Sequence, residues 1–130
     1  MIKKTILNEQ RVRPIDGGFS FIPHRFLTGG FLTALDPDQL LLYFFLVMAG
    51  DRNGLSFYSY DSICTLLKIS VDQYLKARDA LMEYDLIAFN GTIFQVLDLP
   101  KAPPAPHPSN KSQSAQLKRL IQSAVKEVPV

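Results

Sequence analysis

The chain has 130 residues, of which 47% are hydrophobic, and this length allows one compact domain with tails. Its single cysteine, Cys64, excludes an intramolecular disulfide, and the N-terminal stretch lacks the apolar core of a secretory signal. The net charge of +2 is unevenly distributed: residues 1–35 carry five basic and two acidic groups, residues 36–98 four and nine, and residues 99–130 five and one. An acidic middle therefore lies between basic ends.

The first 35 residues are predicted to form a basic N-terminal arm and a short helix that packs on the domain. Residues 2–7 are compatible with a short strand or an ordered arm. "DGG" at 16–18 predicts a turn, and Pro23 suits the first position of a short helix that "TGG" ends.

Residues 36–99 are predicted to form the folded domain. Asp36 as N-cap, Pro37 at the first position and Gln39 in a capping box predict a helix from 37 to about 49. A short strand is expected within 55–59, a helix over 60–67 capped by Ser59, and a third helix over 71–84 capped by Ser70. A β-hairpin follows, with Asn90-Gly91 as a type I′ turn.

The most apolar run, residues 40–50, is shorter than the ~20 residues that a membrane span needs, so we expect a buried helix, no membrane partner and a cytoplasmic protein. Residues 100–113 hold five prolines and predict an extended linker. Residues 114–130 predict an amphipathic C-terminal helix, of which residues 114–128 are a candidate contact for a homodimer or a partner protein. Its apolar residues are Leu117, Leu120, Ile121, Ala124, Val125 and Val128.

The segment 36–98 resembles the winged helix-turn-helix superfamily, in particular its bacterial replication-initiator and transcription-regulator type. The resemblance is carried by the turn at Ser70, by the spacing of Leu81, Leu86 and Ile87, and by the hairpin tip Asn90-Gly91. It implies a mainly α fold with a small β-hairpin wing. It also implies that helix 71–84 lies in the major groove of double-stranded DNA while the hairpin touches the backbone or minor groove.

A helical wheel at about 100° per residue separates the faces of this third helix. Val71, Tyr74, Ala77 and Leu81, with Leu75 and Met82 at the edge, are predicted to face the core. On the outer face, Gln73 suits adenine, Lys76 suits guanine and Asp72 is compatible with cytosine, while Ser70 at the helix N-terminus suits a phosphate. The candidate DNA-binding residues are Lys3, Lys4, Arg11, Arg13, Arg25, Lys68, Ser70, Asp72, Gln73, Lys76, Asn90 and Thr92.

Other side chains oppose a strong DNA interaction. Asp79 and Glu83 would repel phosphates, and no Lys or Arg lies between Leu86 and Leu97, where a basic wing is expected. Arg78 is predicted to lie along apolar surface and to pair with Asp61 or Asp85, with a base contact as the alternative.

Catalytic signatures are absent from the sequence. The two histidines, His24 and His107, lie at either end of the domain, and there is no metal-ligand spacing around Cys64, which is expected to be a buried structural thiol. There is no HExxH motif and no P-loop. We expect neither an enzyme nor a cofactor or metal site.

Two functions are compatible with these patterns. The first is a DNA-binding protein, either a transcriptional regulator or an accessory factor of replication or mobile elements, in which basic ends supply the phosphate contacts. The second is a winged-helix protein–protein interaction module with an acidic third helix and little affinity for DNA.

Overall fold

The computed structural model describes residues 2–15 and 17–104, and it is mainly helical with a small antiparallel sheet, as predicted. A single 3-10 turn at Glu9–Arg11 lies in the N-terminal arm. The α-helices are α1 (Arg25–Thr28), α2 (Phe31–Ala34), α3 (Pro37–Ala49), α4 (Tyr60–Leu67) and α5 (Val71–Glu83). The strands are β1 (Leu55–Ser56), β2 (Ile87–Phe89) and β3 (Phe94–Val96).

The three long helices begin where the sequence predicts. Gln39 accepts a hydrogen bond from the backbone N–H of Asp36 at 2.9 Å, which is part of the expected capping box of α3. The Ser59 hydroxyl accepts from the N–H of Ser62 at 3.3 Å and so caps α4. These bonds satisfy backbone donors that have no partner within the helix.

The sheet joins distant parts of the chain in the order β1-β3-β2. In the hairpin, Ile87 pairs with Val96 and Phe89 with Phe94, while β1 adds to the other edge of β3 through Ser56 and Phe94. Helices α4 and α5 lie between β1 and β2 in sequence. The pairing of β1 with β3 therefore connects the segment before these helices to the hairpin that follows them.

The core is centred on α3, which buries Leu42, Tyr43 and Leu46. Helix α5 packs mainly on α3. Two aromatic residues that precede α3 belong to the same core, because the ring of Phe26 stacks on Tyr43 at 5.0 Å and Phe31 is fully buried. The other large side chains that are fully buried are Ile63, Tyr74, Leu81, Leu86 and Phe94.

The buried face of α5 is narrower than the face that the helical wheel predicts. Tyr74, Ala77 and Leu81 are buried, but three residues predicted to face the core are not: Val71 is 46% exposed, Leu75 37% and Met82 39%. Helix α5 lies at the surface and buries only the stripe that faces α3 and α4, so residues beside this stripe remain in contact with water.

The hairpin turn also differs from the prediction. The strands end at Phe89 and resume at Phe94, which leaves a four-residue connection. Of its residues only Gly91 has a positive φ, at 97°, whereas a type I′ turn needs positive φ at both central positions, so the type I′ prediction was wrong. Instead the Asn90 side-chain oxygen accepts from the N–H groups of Thr92 at 2.9 Å and Ile93 at 2.8 Å.

Residues 2–7 form no strand and are exposed. Of the two predicted alternatives, a strand or an arm, the structure therefore has the arm. Most of the predicted linker, beyond residue 104, and the predicted helix 114–130 lie outside the described residues. Within the described ranges 2–15 and 17–104, no helix is both long and apolar enough to cross a membrane.

Candidate nucleic-acid interface

The connection between α4 and α5 is short because Lys68 takes a left-handed conformation, with φ 58° and ψ 45°. This conformation, which usually favours glycine, ends α4 and turns the chain within three residues. The side chain of Lys68 is exposed beside the start of α5. Ser70 then begins the helix that the sequence predicts as the DNA reader.

The start of α5 is fixed by a reciprocal capping box. The Ser70 hydroxyl accepts from the N–H of Gln73 at 3.0 Å, and the Gln73 side-chain oxygen accepts from the N–H of Ser70 at 2.8 Å. The Gln73 amide nitrogen also donates to a carboxylate oxygen of Asp38 at 3.3 Å. Both polar atoms of the Gln73 side chain are therefore engaged within the protein. The S-x-x-Q spacing of "SVDQ" is the sequence signal for this role.

The N-termini of α3 and α5 meet in a shallow groove of about 410 Å³, which we call the N-terminal groove. Its polar lining comprises Asp36, Asp38, Gln39, Ser70, Asp72, Gln73 and Lys76. Each of the three carboxylates lies at or in the first turn of a helix, where the partial positive charge of the helix N-terminus stabilises it. No local pattern predicts the groove, since Asp38 and Asp72 lie 34 positions apart and only packing of α5 on α3 brings them together.

The outer face of α5 carries more negative than positive charge. Lys76 is exposed, as are Asp72, Asp79 and Glu83. The wing adds no cation, because its exposed polar residues Asn90 and Thr92 are neutral and the side-chain oxygen of Asn90 is used in the turn. Lys76 thus projects from a surface that is acidic on either side along the helix.

Arg78 lies over apolar surface, as predicted, but its partner differs. Its guanidinium carbon is 5.7 Å from the ring centre of Tyr74 and 5.4 Å from that of Phe89. Its Nη2 donates to Asp79 at 3.0 Å rather than to Asp61 or Asp85, because the adjacent carboxylate is within reach of a guanidinium held between two rings. Burial alone would lower the pKa of Arg78, but the hydrogen bonds to the Asp79 carboxylate help to raise it above its usual value.

The predicted arm cations fall into two groups. Lys3, Lys4, Arg11 and Arg13 are exposed, and their side chains make no hydrogen bond within the described part of the chain. Arg25 differs, because its Nη1 donates to the carbonyl of Pro100 at 2.8 Å and its Nη2 to that of Leu99 at 2.7 Å. Arg25 therefore fastens the end of the domain to α1, and no sequence spacing indicates this contact across some 75 residues.

Cys64 is half-buried rather than fully buried. Its sulfur lies 3.8 Å from the carbonyl oxygen of Ser70, next to the turn before α5. Desolvation and the nearby charge of Asp61 raise the pKa of the thiol, which favours the protonated form. This environment fits a packing role at the turn.

The arrangement offers a protruding helix with one central lysine, a neutral hairpin tip and a separate exposed basic arm. Comparisons with known proteins found no matching family model, no matching curated protein and no matching solved structure.

Proposed function

We propose that residues 36–99 form a winged helix-turn-helix domain and that the protein is a non-enzymatic DNA-binding protein. In this proposal it acts as a transcriptional regulator or as an accessory factor of replication or mobile elements. The observation that carries the proposal is the run α3-β1-α4-α5-β2-β3 with its sheet order β1-β3-β2. This order places a tight turn and an exposed helix directly before a hairpin, which is the arrangement of winged helix-turn-helix domains.

Helix α5 is proposed to enter the major groove, with Lys76 as its main contact. Lys68 and the N-terminal turn of α5 would lie near a phosphate, since the turn exposes both an ammonium group and the helix N-terminus. Asn90 and Thr92 at the wing tip would approach the DNA backbone. Gln73, whose amide atoms bond Ser70 and Asp38, is proposed to hold α5 in place rather than to contact a base edge.

The arm residues Lys3, Lys4, Arg11 and Arg13 are proposed to supply most of the phosphate contacts. They are exposed and unpaired within the described residues, whereas α5 presents mainly carboxylates. Because each neutralised phosphate releases counterions, such an arm makes affinity strongly dependent on salt.

The direct test is fluorescence-anisotropy binding of the full chain to a mixed-sequence duplex over a salt series. We expect measurable binding at about 50 mM salt that weakens by a factor of at least about 10² by 200 mM. A Lys76→Ala variant should bind more weakly at every salt concentration, and Lys76→Arg should restore binding. Failure of the full chain to bind at low salt would contradict the proposal.

One observation favours a second function, a winged-helix module that binds a basic protein surface. Asp36, Asp38 and Asp72 converge around the N-terminal groove, and such a cluster suits Lys or Arg side chains of a partner. Replacing Asp38 and Asp72 by Asn distinguishes the two functions. The change should strengthen binding to DNA, but it should weaken binding to a basic partner.

A further inference from the structure

A second and larger groove lies at the C-terminal end of α3, away from the N-terminal groove. Its volume is about 990 Å³, and we call it the C-terminal groove. Its walls are the segment 18–23, the end of α3, the loop 50–54 and the strand end with the segment that follows it, 96–99. Its large apolar lining residues are Phe19, Phe21, Val47, Met48, Leu97 and Leu99.

Several of these apolar side chains are largely exposed to solvent, and they lie close together. Phe21 is 74% exposed, and Phe19 and Met48 are each 68% exposed. They belong to one groove, and the hydroxyl of Ser20 donates to the carbonyl of Met48 at 3.4 Å, which joins the two walls. A clustered apolar surface of this kind is typical of an interaction site.

The chain leaves the domain beside this groove. Leu99 is buried at 8% exposure, and Arg25 holds the carbonyls of Leu99 and Pro100 at the groove wall. The nine residues from 105 to 113 span at most about 30 Å when extended, so the segment that follows can reach the groove without strain. A tether of this length also gives a local concentration of the order of millimolar.

We propose that residues 114–128 of the same chain dock in the C-terminal groove. This segment lies outside the described residues, and its sequence places six apolar residues at helical spacing: Leu117, Leu120, Ile121, Ala124, Val125 and Val128. Lys118 falls at the flank of that face, where it suits the carboxylates of Asp51 and Asp98, which line the groove together with Arg25 and Arg52. Two backbone hydrogen bonds, from Leu55 and Asn53, lower the pKa of Asp51 and keep it charged.

Docking at this end of α3 leaves the N-terminal groove, with Lys76, free. Helix α3 is about 20 Å long at 1.5 Å per residue, and the N-terminal groove lies at its other end. The docking proposal is tested by measurements that need no DNA, so its failure can be told apart from a failure of the proposed function.

Disulfide trapping in the full chain tests the docking. In a Cys64→Ser background, Met48→Cys is combined with Ile121→Cys, and the matched control combines it with Ser123→Cys. The two tail positions have nearly equal tethers, but on a helix they point about 160° apart. With oxidised glutathione as oxidant, we expect an intrachain disulfide to form at least about tenfold faster with Ile121→Cys.

Equal rates for the two pairs would overturn the proposal, because they would reflect the tether alone. A predominance of interchain disulfides would also overturn it, in favour of docking on a second copy.

Hydrogen exchange provides an independent readout without new cysteines. In the full chain, Leu120→Asp with Ile121→Asp should increase amide exchange in residues 18–21 and 48–50, while Ser123→Asp should leave it unchanged. Exchange that is the same in all three proteins would contradict docking.

Discussion

The basic arm and the outer face of α5 differ in the sign of the charge that they expose. In the arm, Lys3, Lys4, Arg11 and Arg13 are exposed and bond no other side chain in the described ranges. On α5, Gln73 bonds Ser70 and Asp38, and Arg78 bonds Asp79. Its other charged residues, Asp72, Lys76 and Glu83, are exposed. The arm thus carries exposed cations, whereas α5 has a start fixed by its capping box and a surplus of carboxylates on its outer face.

Under the proposed function, this difference assigns the affinity for DNA and the orientation of the bound protein to two separate regions. Phosphate contacts provide most of the electrostatic affinity for DNA, and under the proposed function the exposed cations of the arm would make them. A helix that enters a groove requires a fixed orientation, which the capping box at Ser70 and the packing of α5 on α3 supply. Under the proposed function, the arm would attract DNA and α5 would determine the position of the DNA.

The largest effect is expected from the arm. Replacing Lys3, Lys4, Arg11 and Arg13 together by Ala should weaken binding to duplex DNA by about 10- to 100-fold at about 100 mM salt, and lower the salt slope by up to about 3.6. Anisotropy titrations over a salt series measure both quantities. Lys101→Ala, which removes an exposed cation outside the arm, is the control and should change affinity less than about twofold. An unchanged slope in the arm variant would contradict this division of roles.

The next effect comes from the carboxylates of the N-terminal groove. Asp38→Asn with Asp72→Asn should strengthen DNA binding by about five- to 30-fold, because each carboxylate that lies about 4 Å from a phosphate costs up to about 1 kcal/mol in water. Asn at position 38 keeps an acceptor for Gln73, so the packing is retained. Asp98→Asn, at the other end of α3, is the control. Unaltered affinity would show that this part of α5 does not approach DNA.

A smaller loss is expected for the single lysine of the α5 face. Lys76→Ala should weaken binding to mixed-sequence DNA by about three- to fivefold and reduce the salt slope by about one. Lys76→Arg retains the charge and should bind as the parent does. If the alanine variant binds normally, α5 does not contact DNA through its central turn.

The smallest effect on binding is expected at Gln73. Gln73→Ala should lower the free energy of unfolding by about 0.5–1 kcal/mol, because it removes one half of the capping box, and change DNA affinity less than about twofold. Urea unfolding measures the first quantity and anisotropy the second. Ser70→Ala removes the other half and should cost a similar amount of stability. A large loss of affinity with unchanged stability would assign Gln73 to a base edge instead.

Local sequence signals predicted the helices well. Asp36 with Pro37, Ser59 and Ser70 each mark a helix start that the structure contains, because capping depends on residues within one turn. The same locality explains the error at the hairpin, where Asn-Gly favours a type I′ turn but the stacked pair Phe89 and Phe94, 4.2 Å apart, closes a longer connection.

Contacts between distant segments were not predictable. The pairing of β1 with β3, the meeting of Asp38 with Asp72 and the binding of Arg25 to Leu99 each depend on how helices pack, and no local spacing encodes them. Gln73 is the intermediate case. The S-x-x-Q spacing predicts its capping role, but its position on the outer face also suits adenine. The structure shows that both polar atoms of its side chain are engaged within the protein.

The central claim is that DNA lies against both the arm and α5. Lysine acetylation followed by mass spectrometry, with and without a saturating duplex at low salt, measures this directly in the full chain. We expect DNA to protect the arm peptide carrying Lys3 and Lys4, together with Lys68 and Lys76, while Lys101 remains as reactive as in the free protein. Protection of none of these lysines, or of Lys101 alone, would contradict the claim.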